Sequence, residues 1–348
     1  MERIMRLSTR VTVIEPSQSL AISARAAELK AAGEDVVNFG AGQPDFPPPE
    51  FVKEATWEAI SDDRNAKYTP ASGTNELKQA ICDKLKRDNG IDYKKANISV
   101  NVGAKHSCFN LILALIEEGD EVIIPKPYWL SYPQMVRFAG GTPVHIETDE
   151  RHRLEASELE KAITGRTKLV LVNSPSNPSG AVIPEEELKK ISELAKKHDF
   201  YILSDEIYEK ILYESKHVSI ASLDEETRER TFTVNGLSKS HAIPGWRLGY
   251  VAGPEDVIRA VNTLQSHSTS NPSSIVQAAA VAALKGDDYF LKERCAQFRE
   301  RRDYVVEALN AISGVECSKP EGAFYVFPKI PFENDLEFAA DLLDQEKV

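Results

Sequence analysis

KLVLVNSPSNPSGAVIPEEELKKISELAKKHDFYILSDEIY, residues 168–208, sets two short apolar runs on either side of a charged, amphipathic stretch. Lys168–Asn173 and Phe200–Ser204 are of strand length and lack polar alternation, the pattern of strands covered on both faces. The stretch at 184–198 between them has helical spacing. A strand, a helix and a second strand in this order predict a buried, largely parallel sheet, and hence an α/β domain.

The alternation continues on both sides. Further strand-like runs lie at Ile98–Val102, Glu121–Pro125, Thr231–Asn235 and Leu248–Ala252, with helix-like stretches at 105–117 and 129–139. Upstream, Ser19–Gly33 alternates Ala, Leu and charged residues at helical spacing, with Gly33 as a stop. Helices are expected at 50–61 and 74–89, the second closed by Asn89-Gly90. GAGQPDFPPP, residues 40–49, is too rich in Gly and Pro for either periodic structure and reads as a long ordered loop. Beyond about residue 285 the pattern changes to an Arg-rich helix, Phe298–Asn310, then to GAFYVFPKI at 322–330, which reads as a β-rich run. The expected division is a large domain at 46–285 and a smaller α+β domain built from both chain ends, 1–45 and 286–348.

At 348 residues the chain is long enough for about two domains, each with a real core. Its 42% hydrophobic and 28% charged residues are those of a soluble globular protein. The net charge of -12 argues against nucleic acid or an anionic membrane surface as a main partner. Cys82, Cys108, Cys295 and Cys317 form no CxxC and read as structural free thiols of a reducing compartment, with no metal site among them. MERIMRLSTR has no apolar run after its charges, so no signal peptide is expected. No apolar run reaches the roughly 18 residues of a membrane span. A cytoplasmic location is the expectation.

Ligands of open α/β sheets sit outside the carboxyl ends of the strands. Four such ends here are polar or rich in Gly and Pro: Gly103-Ala104-Lys105, Asn173–Gly180, Asp205–Tyr208 and Ser238-Lys239. In NGLSKSHAIPGWRLG, residues 235–249, Lys239 lies at a strand end between small residues. Partial desolvation there favours the neutral, nucleophilic amine, which condenses with an aldehyde. Arg247, past a turn, could clamp a phosphate with its planar fork. In SDEIY, Asp205 is either a helix N-cap or a buried carboxylate. NSPSNPSG by itself is a turn. Gly103 opens a helix whose free N–H groups suit an anion, and Trp129 is either an aromatic platform or a core residue. GAGQPDF is not a dinucleotide fingerprint, because Asp45 stands where the third glycine would be.

The segment around Lys239 resembles the attachment-site signature of the class I pyridoxal-phosphate-dependent aminotransferases. The other blocks follow in the family's order from about residue 8 to the end. The resemblance is nearest to the bacterial aspartate aminotransferases of the thermophile-like branch. It implies pyridoxal 5'-phosphate as cofactor, held by Lys239 as a Schiff base, with Arg247 and the backbone of Gly103, Ala104 and Lys105 on its phosphate. It implies Asp205 on the ring nitrogen, Tyr208 and Asn177 on the ring's phenolic oxygen, and Trp129 stacked on the ring. Substrate contacts would come from Gly42, Trp129 and Asn177. Tyr68 would reach the phosphate of a neighbouring subunit, which requires a homodimer with shared sites.

The expected reaction moves an amino group from an L-amino acid, aspartate first, to a 2-oxo acid, 2-oxoglutarate first. A prephenate or aromatic aminotransferase, or a carbon–sulfur lyase on the same scaffold, would carry the same motifs. A non-catalytic binding module would not need Lys239, Asp205, Tyr208 and Asn177 together. Leu342–Val348 reads as a helix running into a strand. In the family that strand leads to an arginine for the substrate α-carboxylate, which nothing here matches. The resemblance therefore implies a C-terminally truncated chain that binds the cofactor but turns over poorly.

Overall fold

The computed structural model describes residues 7–348. A short turn of helix, α1 (Thr9–Thr12), precedes α2 (Gln18–Ala31), and the loop rich in Gly and Pro leads to α3 (Glu50–Ser61). Helix α4 (Asn75–Asn89) starts where the Thr74 side chain accepts from the Leu77 N–H and stops at Gly90, whose φ of 71° is left-handed. Strand β1 (Ile98–Asn101), helix α5 (Ala104–Leu115) and strand β2 (Glu121–Pro125) follow. Next come α6 (Ser131–Ala139), β3 (Thr142–Ile146), α7 (Ala156–Ala162) and β4 (Thr167–Asn173). Helix α8 (Glu185–His198) carries three Glu in its first turn and Lys196, Lys197 and His198 in its last, matching the helix dipole at both ends. Strand β5 (Tyr201–Asp205), α9 (Glu225–Arg228), β6 (Thr231–Gly236) and β7 (Gly249–Ala252) complete the strands. The chain ends with α10 (Glu255–Ser266), α11 (Ser274–Lys285), α12 (Tyr289–Asn310) and α13 (Asp335–Asp341).

The seven strands form one sheet in the order β1-β7-β6-β5-β4-β2-β3. Strands β3, β2, β4, β5 and β6 run parallel, and β7 is antiparallel to both of its neighbours, β6 and β1. Both faces are covered, as the unalternating strands predict. Leu169 and Leu171 of β4 face a core with Leu111 and Ile112 of α5, while Val170 and Val172 face another with Leu188 and Ile191 of α8. Each fully buried aliphatic side chain stabilises the sheet by about 1.5–3 kcal/mol. The reversed β7 also fixes the site: the loop between β6 and β7 and the loop after β1 open at the same edge as the carboxyl ends of β4 and β5. Gly249 at the start of β7 lies so close under the Ala104 amide that a Cβ there would collide with it.

Four expectations need correction. Thr142–Ile146 is a strand that its sequence hid behind Gly140-Gly141 and a proline, and it pairs as the outer edge next to β2. GAFYVFPKI forms no strand; it makes only isolated bridges, Leu212 with Gly322 and Glu316 with Lys329, because its start bonds to the Gly180 and Ile211 carbonyls of two loops while Lys329 bonds to Glu316 instead of to one common partner strand. The Arg-rich helix begins at Tyr289, nine residues before Phe298. Leu342–Glu346 continues α13 as a wide π turn instead of entering a strand. That turn meets the other end of the chain: Leu343 packs with Ala26 and Val36, Arg25 pairs with Asp344, and the Val37 N–H donates to the Lys347 carbonyl.

Candidate active site

The carboxyl ends of β4, β5 and β6, with the loops after β1 and β2, surround one cleft with a buried floor and an open rim. Asp205 and Tyr208 form the floor and are 4% and 2% exposed. Asn173 ties two strand ends together, its Nδ2 donating to the Asp205 carbonyl at 2.9 Å and its Oδ1 accepting from the Asn177 N–H at 2.7 Å. This fixes the loop carrying Asn177, whose side-chain amide acts on the Tyr208 hydroxyl and favours its ionised form.

Asp205 is a buried carboxylate and not a helix cap, since no helix starts after it. Its Oδ1 accepts from the Ile207 N–H at 3.2 Å, and its Oδ2 accepts from the Tyr132 hydroxyl at 2.8 Å with the Cys108 thiol at 3.9 Å. Burial pushes its pKa up to about 6, against the pull of Tyr132, the Ile207 amide and Lys239. A cationic ring nitrogen beside such a carboxylate would restore its charged form.

Lys239, after β6, is half-buried, and its Nζ donates to the Gly42 carbonyl at 2.5 Å. The ammonium lies 5.8 Å from the Tyr208 ring centre and 5.7 Å from that of Phe324. Desolvation lowers its pKa to about 8; Arg247 and Lys105 push the same way and Asp205 opposes them. The amine is thus poised between ammonium and nucleophile near neutral pH.

Arg247 has a left-handed backbone (φ 56°) that turns its guanidinium back toward Gly103, with Nη1 donating to the Pro244 carbonyl at 2.6 Å. Gly103 (φ 87°) opens α5, and a Cβ there would stand 2.7 Å from Arg247 Nη2. The free amides at the start of α5, Arg247 and Lys105 together make a cationic cradle that any side chain at position 103 would fill. It fits a phosphate dianion. Lys105 is itself held below its usual pKa by desolvation and by Arg247, and its Nζ lies 4.8 Å over the Trp129 ring. Trp129 is half-buried: it meets Tyr132 edge-on at 5.1 Å and packs against the core below, with the Lys105 ammonium over its ring.

Ten of the eleven expected residues belong to this cleft or its rim; Tyr68 does not. It is 92% exposed and makes no hydrogen bond to the others among the described residues. Sequence reasoning missed Tyr132, Cys108, Asn173 and Tyr325. Tyr132 was findable, standing one helical turn beyond Trp129. Tyr325 was hidden by the strand reading of its segment. Outside the cleft, Glu206, Glu209 and His217 converge. Lys84 contacts Glu209, and Glu206 accepts from Ser204, Ser219 and His217, so the buried carboxylates already have partners. Among the described residues, no helix is long and apolar enough to cross a membrane.

Residues 34–348 match the family described as aminotransferase class I and II. An aspartate aminotransferase of Bacillus subtilis (strain 168) is 47% identical over 354 positions, covering 99% of this chain and 90% of the relative. A probable aspartate/prephenate aminotransferase of Aquifex aeolicus is 43% identical, over 98% of this chain and 89% of its own length. Among solved structures, an aspartate aminotransferase from Rhizobium meliloti superposes with a TM-score of 0.94 at 45% identity, covering 99% of this chain and 90% of the other. The aspartate aminotransferase of Thermus thermophilus with maleate also gives 0.94, at 42% identity, covering 98% and 90%.

Proposed function

The chain belongs to the class I and II aminotransferase family, and on that footing we propose that it transfers the amino group of aspartate to 2-oxoglutarate with pyridoxal phosphate held at Lys239. The observation that carries this reading is the meeting of a lysine of lowered pKa with a buried carboxylate and a cationic cradle on one sheet edge. When bound, the cofactor supplies an electron sink for a carbanion at the substrate Cα. Gly103, Ala104, Lys105 and Arg247 would hold its phosphate, Trp129 would cover its ring, and Asp205 would face the ring nitrogen. Tyr208 and Asn177 would donate to the phenolic oxygen.

Lys239 would act as the covalent anchor and then, once released, as the base that takes the proton from Cα of the amino acid. Gly42 and Asn177, on the open rim, would orient the substrate carboxylate. Aspartate is favoured by the names of the Bacillus and Rhizobium relatives. A second reading, prephenate as an amino acceptor, is favoured by the Aquifex relative. The exposure of Tyr68 at 92%, with Trp57 and Ile60 also exposed on α3, supports a second copy covering this surface and completing the site. The packing of Leu343 on Ala26 and Val36 supports a small domain drawn from 1–45 and 286–348, beside a large domain at 46–285.

The test pairs a panel of amino donors and 2-oxo acids with borohydride reduction and peptide mass analysis. Transfer from aspartate to 2-oxoglutarate, with the pyridoxyl group on Lys239, is the expected result. Prephenate outcompeting 2-oxoglutarate would move the reading to the second one, and a label on another lysine would overturn the site.

A further inference from the structure

Tyr325 lies in the GAFYVF segment, which neither the motifs nor the proposed chemistry employs. The segment is fastened to loops of the sheet domain by its backbone. The Glu321 and Gly322 N–H groups both donate to the Gly180 carbonyl, at 3.0 and 2.9 Å, and the Ala323 N–H donates to the Ile211 carbonyl at 2.9 Å. Gly180 has a φ of 69°, and a Cβ there would stand 2.6 Å from the Gly322 carbonyl oxygen, so the two chains touch backbone to backbone. Phe324 stacks on Phe298 at 5.4 Å and also meets the Tyr208 ring. Anchored on both sides of Ala323 in this way, the chain delivers Tyr325 to the cleft with little freedom.

The Tyr325 hydroxyl touches two parts of the site. It is 2.6 Å from the Tyr208 hydroxyl. It also lies over Gly42, where a Cβ would stand 2.9 Å from its oxygen while the ring carbons stay at 3.7 Å. Gly42 is the residue whose carbonyl receives the Lys239 ammonium. We propose that Tyr325 is a positioning residue of the transamination site, holding the Tyr208 hydroxyl in its donating orientation and setting the height of the Gly42 carbonyl above Lys239. This rests on the reading that Lys239 and Tyr208 form the active site.

The number of protons on the two hydroxyls sets the direction of this bond. A tyrosine hydroxyl has one proton to donate and lone pairs to accept. If Tyr208 spends its proton on a bound group, the hydrogen bond to Tyr325 is made with the Tyr325 proton. Donation into Tyr208 also polarises it and strengthens its own donation. The charged groups acting on this pair are Lys239 and Asp205, with the Asn177 amide as the other neighbour of Tyr208. Phenylalanine at 325 would keep the ring packing and remove only this bond.

Two measurements on the holoenzyme test the inference. In Tyr325→Phe, the pH midpoint of the bound-cofactor absorbance should rise by about half to one unit, the size expected for one lost hydrogen bond. kcat should fall roughly two- to tenfold with a smaller change in KM. In the second measurement, Gly42→Ala should damage kcat strongly in the native background and much less alongside Tyr325→Phe, because the collision is with the hydroxyl and not the ring. An unshifted midpoint, or a Gly42→Ala effect equal in both backgrounds, overturns the role of Tyr325. Borohydride labelling separates the two failures: a pyridoxyl group absent from Lys239 in the native protein overturns the site itself, whatever Tyr325→Phe does.

Discussion

The Tyr132 hydroxyl donates a 2.8 Å hydrogen bond to Oδ2 of Asp205, and both side chains are almost wholly buried. Tyr132 in the first turn of α6 meets the ring of Trp129 in the loop just before that helix at 5.1 Å, so one loop–helix junction delivers both aromatic side chains. The bond favours the ionised carboxylate, which burial disfavours. Removing it in Tyr132→Phe should raise the Asp205 pKa from about 6 by roughly one further unit, the scale of a hydrogen bond to a charged group. The carboxyl would then be about half neutral at pH 7 and mostly neutral at pH 6. Pyridoxal phosphate should bind the apoprotein several-fold more weakly at pH 6 and about twofold more weakly at pH 7, with the loss shrinking further as pH rises. An equilibrium titration at pH 6, 7 and 8, values chosen to bracket this shift, checks it; a loss that does not vary with pH would show a packing effect alone.

Asp205→Asn should separate activity from stability. The folded-state pKa of Asp205 is raised from 3.8 to about 6. Between these values the folded chain binds more protons than the unfolded one, so this group lowers stability as pH rises through that window, and the full penalty stands above about pH 6. The amide carries no such penalty. The apoprotein Tm at pH 8 should therefore hold or rise while turnover drops by at least about tenfold through loss of the electron sink. A fall in Tm matching the fall in activity would point to a structural carboxylate.

Cofactor loading should depend on pH through Lys239. Its pKa is lowered to about 8, chiefly by desolvation, so the neutral amine dominates only above that value. The rate constant for pyridoxal phosphate joining the apoprotein should rise with pH and level off past a midpoint near 8, as read by stopped-flow absorbance. A midpoint near the ordinary lysine value of 10.5 would place Lys239 in a solvated setting.

Lys239→Ala should abolish turnover and leave the fold intact. The residue is half-buried and makes one hydrogen bond, to the Gly42 carbonyl, so little packing is lost. General-base catalysis alone is worth roughly 10²–10⁴-fold, and the covalent anchor goes as well. Circular dichroism and Tm report the fold; near-native kcat in purified protein would remove Lys239 from the chemistry.

Lys84→Met should unfold the protein far more readily without touching the cleft. Lys84 is 4% exposed; it contacts Glu209, and its Nζ donates to Asn89 Oδ1 at 2.7 Å. Removing the cation leaves the buried Glu209 carboxylate without its counter-ion, a loss of about 3–5 kcal/mol. Adding Glu209→Gln should recover much of it, because the stranded charge goes too. Urea unfolding of both variants checks the pair, and equal destabilisation would mean the lysine acts through packing.

The α/β sheet is legible in the residues alone, because Leu169–Val172 and Ile202-Leu203 lack the polar alternation that one open face requires. So are the chemistry-bearing ends of those strands, since Lys239, Asp205, Tyr208 and Asn177 stand in local motifs that keep their spacing whatever surrounds them. Which residues finish the cleft is a matter of long-range packing. Tyr132 meets Asp205 across 73 positions and Tyr325 meets Tyr208 across 117; helical spacing to Trp129 marks Tyr132 as a neighbour of the site, but no local periodicity encodes which distant residue either tyrosine meets. The edge strand Thr142–Ile146 and the GAFYVFPKI segment, held only by isolated bridges, escaped the sequence reading for the same reason. Strand propensity is settled by which backbone groups a neighbour offers. For Thr142–Ile146 that neighbour is β2, whereas for Glu321–Ala323 it is the Gly180 and Ile211 carbonyls of two loops.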